Sequence, residues 1–284
     1  MRGAVPGHNG GVPLDWSRYW HSADRPLEAM HAHFERHVYH RHSHESYSFG
    51  VTESGAQAFT CRGEAYTSAT GMVMAFNPDD PHDGHAGDEL GFTYRMVHIG
   101  PDLVGDVLAD VAGRPNGLPL FADPVIEDPL IARNLRALHA ALLGGAPALR
   151  RDELLTATVA AVSRRATRSV PRPRTPRDAA RVADVARRLI HDADLEDVTA
   201  DDLAAATGRT RYAVYRAFRS AYGMAPSDYQ RQLRLRAARR MIAQGRPLSD
   251  IAARTGFADQ AHLTRWFGRY YGITPGGYRL AVSG

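Results

Sequence analysis

Apolar and polar residues alternate in short runs between positions 47 and 99 of the chain. Turn sequences separate these runs, among them Ser54-Gly55, Arg62-Gly63 and Asn77-Pro78-Asp79-Asp80-Pro81. A period of two is typical of half-buried β-strands. Short strands that are divided by frequent turn signals predict an antiparallel barrel or sandwich.

Helical periodicity replaces this alternation after residue 128. Apolar residues now recur three or four positions apart, at Ile131, Leu135, Leu138 and Leu142. That spacing places them on one face of a helix, and Gly144-Gly145 follows as a stop signal before a second apolar stripe. We therefore predict a helical hairpin over residues 128–163. Its stripe is expected either to cover the strands or to form a dimer surface, since exposed apolar surface usually has a partner.

Two segments lack the apolar content of a folded core. Residues 1–15 are rich in glycine and proline and are predicted to form a flexible tail. Residues 164–177 are rich in arginine and proline, a composition typical of an extended linker. These segments divide the chain into a β-rich domain over 16–127, the hairpin over 128–163, and a C-terminal domain over 178–284.

The C-terminal domain contains an internal repeat. The segment 201–229 aligns with the segment 249–278, and eleven identical residues match at offsets of 48 and 49. Each copy has a short apolar helix pattern, then a turn, then a second helix pattern that ends at a glycine followed by a proline. The repeat predicts two helix-turn-helix units, over 199–221 and 248–271.

The two copies have residues with the same structural roles in their turns. Gly208 and Gly256 stand where the chain must leave the first helix with a positive φ, which glycine adopts at little cost. Thr210 and Asp259 follow as N-caps of the second helix. Between the copies, a single long helix is predicted over 227–244.

Charge is segregated between the two parts of the chain. The sequence has 35 basic residues and no lysine, so every fixed positive side chain is an arginine. Residues 1–163 carry 12 arginines and 20 acidic residues, a net charge of −8, whereas residues 164–284 carry 23 and 11, a net charge of +12. Codon bias toward arginine accounts for the absence of lysine but not for the segregation. A basic domain of this kind favours an anionic partner, and nucleic acid is the first candidate.

The second helix of each copy has an outer face that suits the major groove of DNA. The groove admits one helix, and arginine can bond to guanine, or glutamine to adenine, through two hydrogen bonds. The long helix between the copies is expected to hold the two readers about one turn of DNA apart, ~34 Å. The alternative, two solvated helices in an ordinary bundle, does not account for a duplicated turn with a basic outer face.

Residues 178–280 resemble the DNA-binding domain of the AraC (AraC/XylS) family of bacterial transcription regulators. The stretch LRLRAARRMIAQGRPLSDIAARTGFADQAHLTRWFGRYYGITPGGYR carries the resemblance, together with the weaker first copy. It implies a seven-helix domain that reads adjacent major grooves with two helices. Gly268 departs from the family, which commonly has Lys or Arg there, so one phosphate contact is missing. Glycine inside a helix also costs about 1 kcal/mol.

The outer faces of the second helices and the resemblance together predict the DNA-contacting residues. The set is Arg209, Arg211, Tyr212, Tyr215, Arg216, Arg219, Gln260, Ala261, His262, Thr264, Arg265 and Arg269. The partner implied is double-stranded promoter DNA.

Residues 20–100 are similar to the cupin-like ligand-sensing barrel of the same family. The stretches HRHSHESYSFGVTESG, CRG and GMVMAFNPDDPHDG carry this similarity. It implies a small-molecule effector but not its identity. The candidate effector contacts are His42, His44, Glu45, Tyr47, His82, Tyr94 and His98.

The pair His42 and His44 also raises the question of a metal ion. In an extended segment, residues two apart point to the same face, so both imidazoles can reach one ion. Metal-binding cupins add a glutamate about four residues later, where this chain has Ser48 or Phe49. We therefore expect no metal and no cofactor. A site of His42, His44 and His82 stays open as the alternative to polar pocket lining or structural histidines.

Composition excludes several classes of protein. No apolar run approaches the ~20 residues that span a bilayer, and the first residues lack the apolar region of a secretory signal. The single cysteine, Cys61, excludes a disulfide framework and a four-cysteine zinc site, and we expect it to be a small buried residue.

The patterns and the resemblance combine into one prediction. The chain is expected to be a two-domain α+β protein, a β-barrel with a helical hairpin followed by an all-α domain, that acts in the cytoplasm as a homodimeric transcription regulator. It is not expected to be an enzyme, and RNA polymerase is a further partner if it activates transcription. Two alternatives remain: a cupin metalloenzyme tethered to a DNA-binding domain, and a DNA-repair methyl acceptor, which the single cysteine disfavours.

Overall fold

A computed structural model describes residues 15–115, 117–167 and 176–282. The predicted tail, apart from Asp15, and positions 168–175 of the predicted linker lie outside the described residues. The described part of the chain forms an N-terminal antiparallel β domain and a C-terminal helical domain, as the sequence predicts.

Nine strands build the N-terminal domain in the described residues. They are β1 (Trp16–His21), β2 (Leu27–Phe34), β3 (Tyr39–His42), β4 (Tyr47–Cys61), β5 (Glu64–Ala69), β6 (Val73–Phe76), β7 (His82–Ala86), β8 (Phe92–Ile99) and β9 (Val125–Ile126). The main path of pairings runs β1-β2-β8-β4-β6-β9, with β5 and β7 on β4, and β3 on β7. The pairings among these described strands are antiparallel and do not form a closed ring.

The long strand β4 belongs to two sheets. Its first half pairs with β6 and β8, and its second half pairs with β5 and β7. A bulge between Thr52 and Ser54, and a φ of 69° at Gly55, bend the strand where it changes partners. The turn predicted at Ser54-Gly55 is therefore wrong, because the chain bends there without leaving the sheet. The turn predicted at Arg62-Gly63 is confirmed between β4 and β5.

Three helices pack on the outer side of this domain. They are α1 (Pro101–Ala112), α2 (Pro129–Leu143) and α3 (Ala148–Ser163). The Asp128 side chain caps α2 by accepting hydrogen bonds from two backbone N–H groups of its first turn. The apolar stripe of α2, from Ile131 to Leu142, is buried in one core with Phe49 and Val97 of the sheet. The hairpin thus covers the strands, and this stripe is not an exposed dimer surface.

His139 is a buried residue of α2, and both of its ring nitrogens are hydrogen-bonded. Its Nε2 donates to the backbone oxygen of Met30 at 3.0 Å, and its Nδ1 accepts from Arg95 Nη1 at 3.2 Å. Burial, and then the charge of Arg95, lower the pKa of His139 to about 4. The neutral imidazole is therefore part of the folded state.

Acidification is expected to destabilise the N-terminal domain through His139. The unfolded chain binds a proton near pH 6.5, but the folded chain does so only near a pKa of about 4. The neutral His139 therefore contributes about 1–3 kcal/mol to the free energy of unfolding above pH 6.5. This contribution is lost as the pH falls from 6.5 toward the folded-state pKa of about 4. In His139→Gln, denaturant unfolding should depend less on pH between about 7 and 5; an unchanged pH dependence would contradict the assignment.

Seven helices form the C-terminal domain within residues 176–282, the number that the resemblance implies. They are α4 (Arg177–Asp192), α5 (Ala200–Thr207), α6 (Arg211–Tyr222), α7 (Pro226–Ala243), α8 (Leu248–Arg254), α9 (Gln260–Tyr271) and α10 (Pro275–Val282). None of the helices in the described residues combines the length and the apolar character needed to cross a membrane.

Both predicted helix-turn-helix units are present, as α5–α6 and α8–α9. Gly208 and Gly256 adopt φ values of 62° and 70° in the two turns. The side chains of Thr210 and Asp259 cap α6 and α9 by accepting hydrogen bonds from backbone N–H groups. The predicted long helix is α7, and it joins the two units.

Candidate functional site

The outer face of α6 carries exposed arginine and tyrosine side chains. Val214, Ala217 and Phe218 turn inward and are buried against α4 and α5, whereas Tyr215 and Arg216 face solvent. Tyr212 is 68% exposed, an unusual position for a large aromatic side chain that serves only the fold. The predicted DNA contacts exposed here are Arg209, Arg211, Tyr212, Tyr215, Arg216 and Arg219.

Several of these arginines have weak local partners. Arg211 bonds to both carboxylate oxygens of Asp201 at 2.5 Å, and Arg209 bonds to Asp178 at 2.9 Å. The guanidinium of Arg216 lies 5.7 Å from the centre of the Tyr212 ring. Exposed ion pairs contribute only about 0–1 kcal/mol, so a phosphate can replace these acids at little cost.

The outer face of α9 is arranged in the same way. Leu263 and Phe267 are buried, while Gln260, Ala261, Arg265 and Arg269 are exposed and Thr264 is half-buried. His262 differs from the rest of the predicted set, because it is half-buried and its Nε2 accepts a hydrogen bond from the Trp266 indole at 2.9 Å. Its contact with DNA remains a prediction.

The C-terminal domain packs directly on the strands of the N-terminal domain. The Gln232 side chain of α7 accepts from the Ser43 backbone N–H at 2.8 Å and donates to the Ser43 hydroxyl at 2.9 Å, and both residues are buried. Arg236, one turn further along α7, bonds to Asp79 at 2.9 Å. These contacts join residues more than 150 positions apart, and no local pattern in the sequence predicts them.

A half-buried ion pair lies at the centre of this interface. Arg239 of α7 bonds to the Glu28 carboxylate of β2 and, at 2.8 Å, to the Tyr19 hydroxyl. Burial is the largest influence and raises the pKa of the Glu28 carboxyl, but the Arg239 charge, the His98 ring and the hydrogen bonds from Tyr19 and Arg239 together bring that pKa below its ordinary value. The rings of Tyr271 and Tyr278 lie 5.1 and 5.0 Å from the guanidinium. Arg239 therefore pairs with Glu28 only while the two domains are docked.

A cavity opens between the two domains beside this ion pair. Its walls combine strand residues of the N-terminal domain with residues of α7 and α9. The lining residues are Tyr19, Met30, Tyr39, His42, His44, Gln57, Phe76, His82, Asp83, Tyr94, Met96, His98, Arg239, Tyr270 and Tyr271. Five predicted effector contacts lie in this wall: His42, His44, His82, Tyr94 and His98.

The two other predicted effector contacts lie elsewhere. Tyr47 is buried in the core beneath the helical hairpin, where its hydroxyl donates to the Pro119 backbone oxygen at 2.7 Å. Glu45 is exposed and lies 3.6 Å from Arg236. Directly paired residues share a face of the sheet, and Ser48, not Tyr47, is paired with His98. Tyr47 and Glu45 therefore do not line this cavity, and their contact with an effector stays a prediction.

The cavity is small, and its wall mixes polar and apolar side chains. It offers about 40 Å³ to water-sized occupants, and one water needs roughly 10–15 Å³ by this measure. Burial lowers the pKa values of His82 and His98 to about 4, so both imidazoles are neutral near pH 7. The wall thus presents neutral ring nitrogens and tyrosine hydroxyls beside one arginine.

Comparison with known proteins agrees with this architecture. Residues 26–159 match the sequence model of the AraC-like ligand-binding domain, and residues 203–281 match that of a helix-turn-helix domain. The chain belongs to the AraC family of transcription regulators.

Two relatives illustrate the range of this AraC-family similarity. YbfI of Bacillus subtilis, described as an uncharacterized HTH-type transcriptional regulator, is 28% identical over 228 residues, which cover 78% of this chain and 80% of YbfI. The transcriptional activator NphR of a Rhodococcus species is 36% identical over 103 residues, which cover 36% of this chain and 30% of NphR.

Solved structures show the same two-domain fold. ToxT from Vibrio cholerae superposes with a TM-score of 0.52 at 10% identity, covering 96% of this chain and 100% of ToxT. A second ToxT structure, with a TM-score of 0.51 at 9% identity, contains a bound unsaturated fatty acid and covers 94% of this chain and 95% of ToxT.

Proposed function

We propose that this protein is a transcription regulator whose binding to promoter DNA through α6 and α9 is controlled by an effector in the interdomain cavity. The observation that carries the proposal is the composition of the cavity wall, which takes His42 and Tyr94 from one domain and Arg239 and Tyr270 from the other. An effector in this cavity contacts both domains at once.

This geometry links effector binding to the docking of the two domains. A ligand that touches both walls binds the docked arrangement of the domains more tightly than a separated one, and it therefore favours docking. The ion pair between Arg239 and Glu28 is the element that such a ligand biases, because it is formed only in the docked arrangement. The position of the DNA-reading helices then depends on the effector.

The chemistry of the wall limits the class of effector. ToxT is a fold neighbour that has been solved with an unsaturated fatty acid, a ligand with a long apolar chain. The present cavity has about 40 Å³ for water-sized occupants and is lined by four histidines. We infer an effector that is smaller and more polar than a fatty acid, and that donates a hydrogen bond to imidazole nitrogen or is coordinated by it.

Partners follow from the same proposal. We propose a homodimer that acts in the cytoplasm, where promoter DNA lies, with RNA polymerase as a further partner if it activates transcription. The stripe of α2 does not supply the dimer contact, since it is buried against the sheet.

Arg265→Ala is expected to weaken specific operator binding by about 1–3 kcal/mol, because an exposed arginine on a reading helix can form two hydrogen bonds to guanine. The measurement is an equilibrium titration with an operator obtained by binding-site selection. Arg150→Ala is the matched control: it removes one exposed arginine from α3 in the acidic domain and should leave the affinity unchanged. Equal affinities of Arg265→Ala and the unsubstituted protein would remove Arg265 from the base-reading set.

A further inference from the structure

Three histidines converge at one point of the cavity wall. One ring nitrogen from each of His42, His44 and His82 lies within 4.8 Å of the others. Strand pairing causes the convergence, because β3 and β7 place His42 directly opposite His82, and His44 follows two residues after His42. The rings of His42 and His82 are 4.5 Å apart, and those of His42 and His44 are 4.8 Å apart.

Backbone carbonyls orient two of these rings. His42 Nδ1 bonds to the oxygen of His40 at 2.7 Å, and His82 Nδ1 bonds to the oxygen of Asp80 at 2.8 Å. Since a carbonyl oxygen only accepts, each Nδ1 carries the proton, and each Nε2 keeps its lone pair. Histidines that bind metal ions are commonly held in this way, through a hydrogen bond from the second ring nitrogen to a carbonyl.

The lone pairs of these rings have no protein donor. In the part of the chain that the structure describes, neither Nε2 of His42 nor that of His82 accepts a hydrogen bond from a protein group. Burial holds the pKa values of His42 and His44 well below the ordinary value and lowers that of His82 to about 4. All three imidazoles are therefore neutral near pH 7, the protonation state in which histidine binds metal ions.

We propose that His42, His44 and His82 form a binding site for a divalent transition-metal ion, with Zn²⁺ as the reference occupant. Imidazole nitrogen suits zinc, copper, iron and nickel rather than magnesium or calcium. Zinc–nitrogen bonds of about 2.0–2.1 Å in a tetrahedral site require the three nitrogens to approach one another by up to about 1.5 Å, and the proposal requires rotations of the side chains to close this distance.

The site has an open coordination position on the cavity side. Three protein ligands leave a fourth position of a tetrahedral ion for water or a small anion. His98, whose ring centre is 4.7 Å from that of His44, stands beside this position. Arg239 of the C-terminal domain lines the same cavity. The ion is thus placed to act as the effector or to hold one, and this regulatory part of the inference rests on the proposed function.

The test uses the full-length protein without an affinity tag, because histidine tags bind the same metals. The chain is treated with a chelator, dialysed and titrated with Co²⁺ or Zn²⁺, and bound metal is measured by elemental analysis and by the visible absorption of bound Co²⁺. We expect one tightly bound ion per chain. His44→Gln and His82→Asn should each weaken its binding by about 100-fold or more, since losing a ligand costs at least as much as losing an outer-shell partner.

His82→Asn retains a side-chain N–H that can reach the Asp80 oxygen, which protects the fold while removing the ligand nitrogen. His85→Ala is the matched control, because His85 is exposed on β7 and should leave the bound ion in place. Circular dichroism of each variant checks folding. Absence of a stoichiometric ion, or an ion retained at full affinity in folded His44→Gln, overturns the metal site.

Operator binding, measured with and without chelator, separates this inference from the proposed function. If chelation changes the operator affinity of the unsubstituted protein but not that of His44→Gln, the result supports metal as the controlling ligand. A bound ion whose removal leaves operator affinity unchanged overturns the regulatory part. Failure of the protein to bind any selected DNA overturns the proposed function, whatever the result of the metal titration.

Discussion

Raising the salt concentration from about 50 to 200 mM is expected to weaken operator binding about 10²–10³-fold. Six of the predicted contacts on and beside α6 and α9 are exposed arginines, namely Arg209, Arg211, Arg216, Arg219, Arg265 and Arg269. Four to six arginine–phosphate contacts release roughly that many counterions, and the logarithm of the affinity falls with a slope of about −0.9 per contact. Fluorescence anisotropy at a series of salt concentrations gives this slope directly.

Single substitutions identify which arginines contribute to the salt dependence. Arg219→Gln should reduce the slope by about one unit and weaken binding to all DNA sequences alike. Arg150→Gln removes the same charge from the acidic domain and should leave the slope unchanged. An affinity that does not vary with salt would show that the basic faces of α6 and α9 do not contact phosphates.

Arg239→Met is expected to release the C-terminal domain from the N-terminal domain. The substitution leaves the half-buried Glu28 carboxylate without the Arg239 cation. Loss of one partner costs about 3–5 kcal/mol in fully buried pairs, and we expect a smaller cost here. Separation of the domains relieves this cost, because Glu28 then returns to water. Small-angle X-ray scattering should report a larger radius of gyration for the variant than for the unsubstituted protein.

The double variant Glu28→Gln/Arg239→Met distinguishes the charge from the packing. Removing both charges leaves no uncompensated ion, so the compact arrangement should be largely restored. Arg231→Met is a suitable control, since Arg231 is also on α7 but pairs with Asp228 of the same helix. A compact Arg239→Met variant would show that the other contacts, such as Gln232 with Ser43, are sufficient to hold the interface.

The C-terminal domain was predictable from sequence because its signals are local. The two turns contain glycines with positive φ, caps and stops at the same spacing, and each appears twice. Positions such as Thr210 and Asp259 could therefore be assigned to the cap of a helix before its packing was known. Helix boundaries were predicted to within about two residues of those observed.

The first three strands were not predicted, and their composition explains why. In β2, Ala29 belongs to the core beneath the helical hairpin and Ala32 to the core on the opposite face of the strand, while His31 and His33 are half-buried. Because both faces of β2 contribute to a core, its apolar and polar residues do not alternate regularly. The strand becomes evident only from its pairing with β1 and β8.

The interdomain cavity could not be predicted from local patterns. Period-two alternation indicates which residues share a face of a strand, but it does not indicate which face contacts the other domain. Tyr47 was therefore placed with His98, although strand register puts it in the opposite core. The pair Glu28 and Arg239 is separated by 211 positions, and no spacing rule links two charges so far apart.

Selection of binding sites from a random DNA library tests the paired readers most directly. If α6 and α9 both read bases, the selected sites contain two conserved elements centred about 10 bp apart, one helical turn of DNA. Arg216→Ala should then relax the base preference in one element, and Arg265→Ala should relax it in the other. A single element, or the loss of the same element in both variants, would contradict the account.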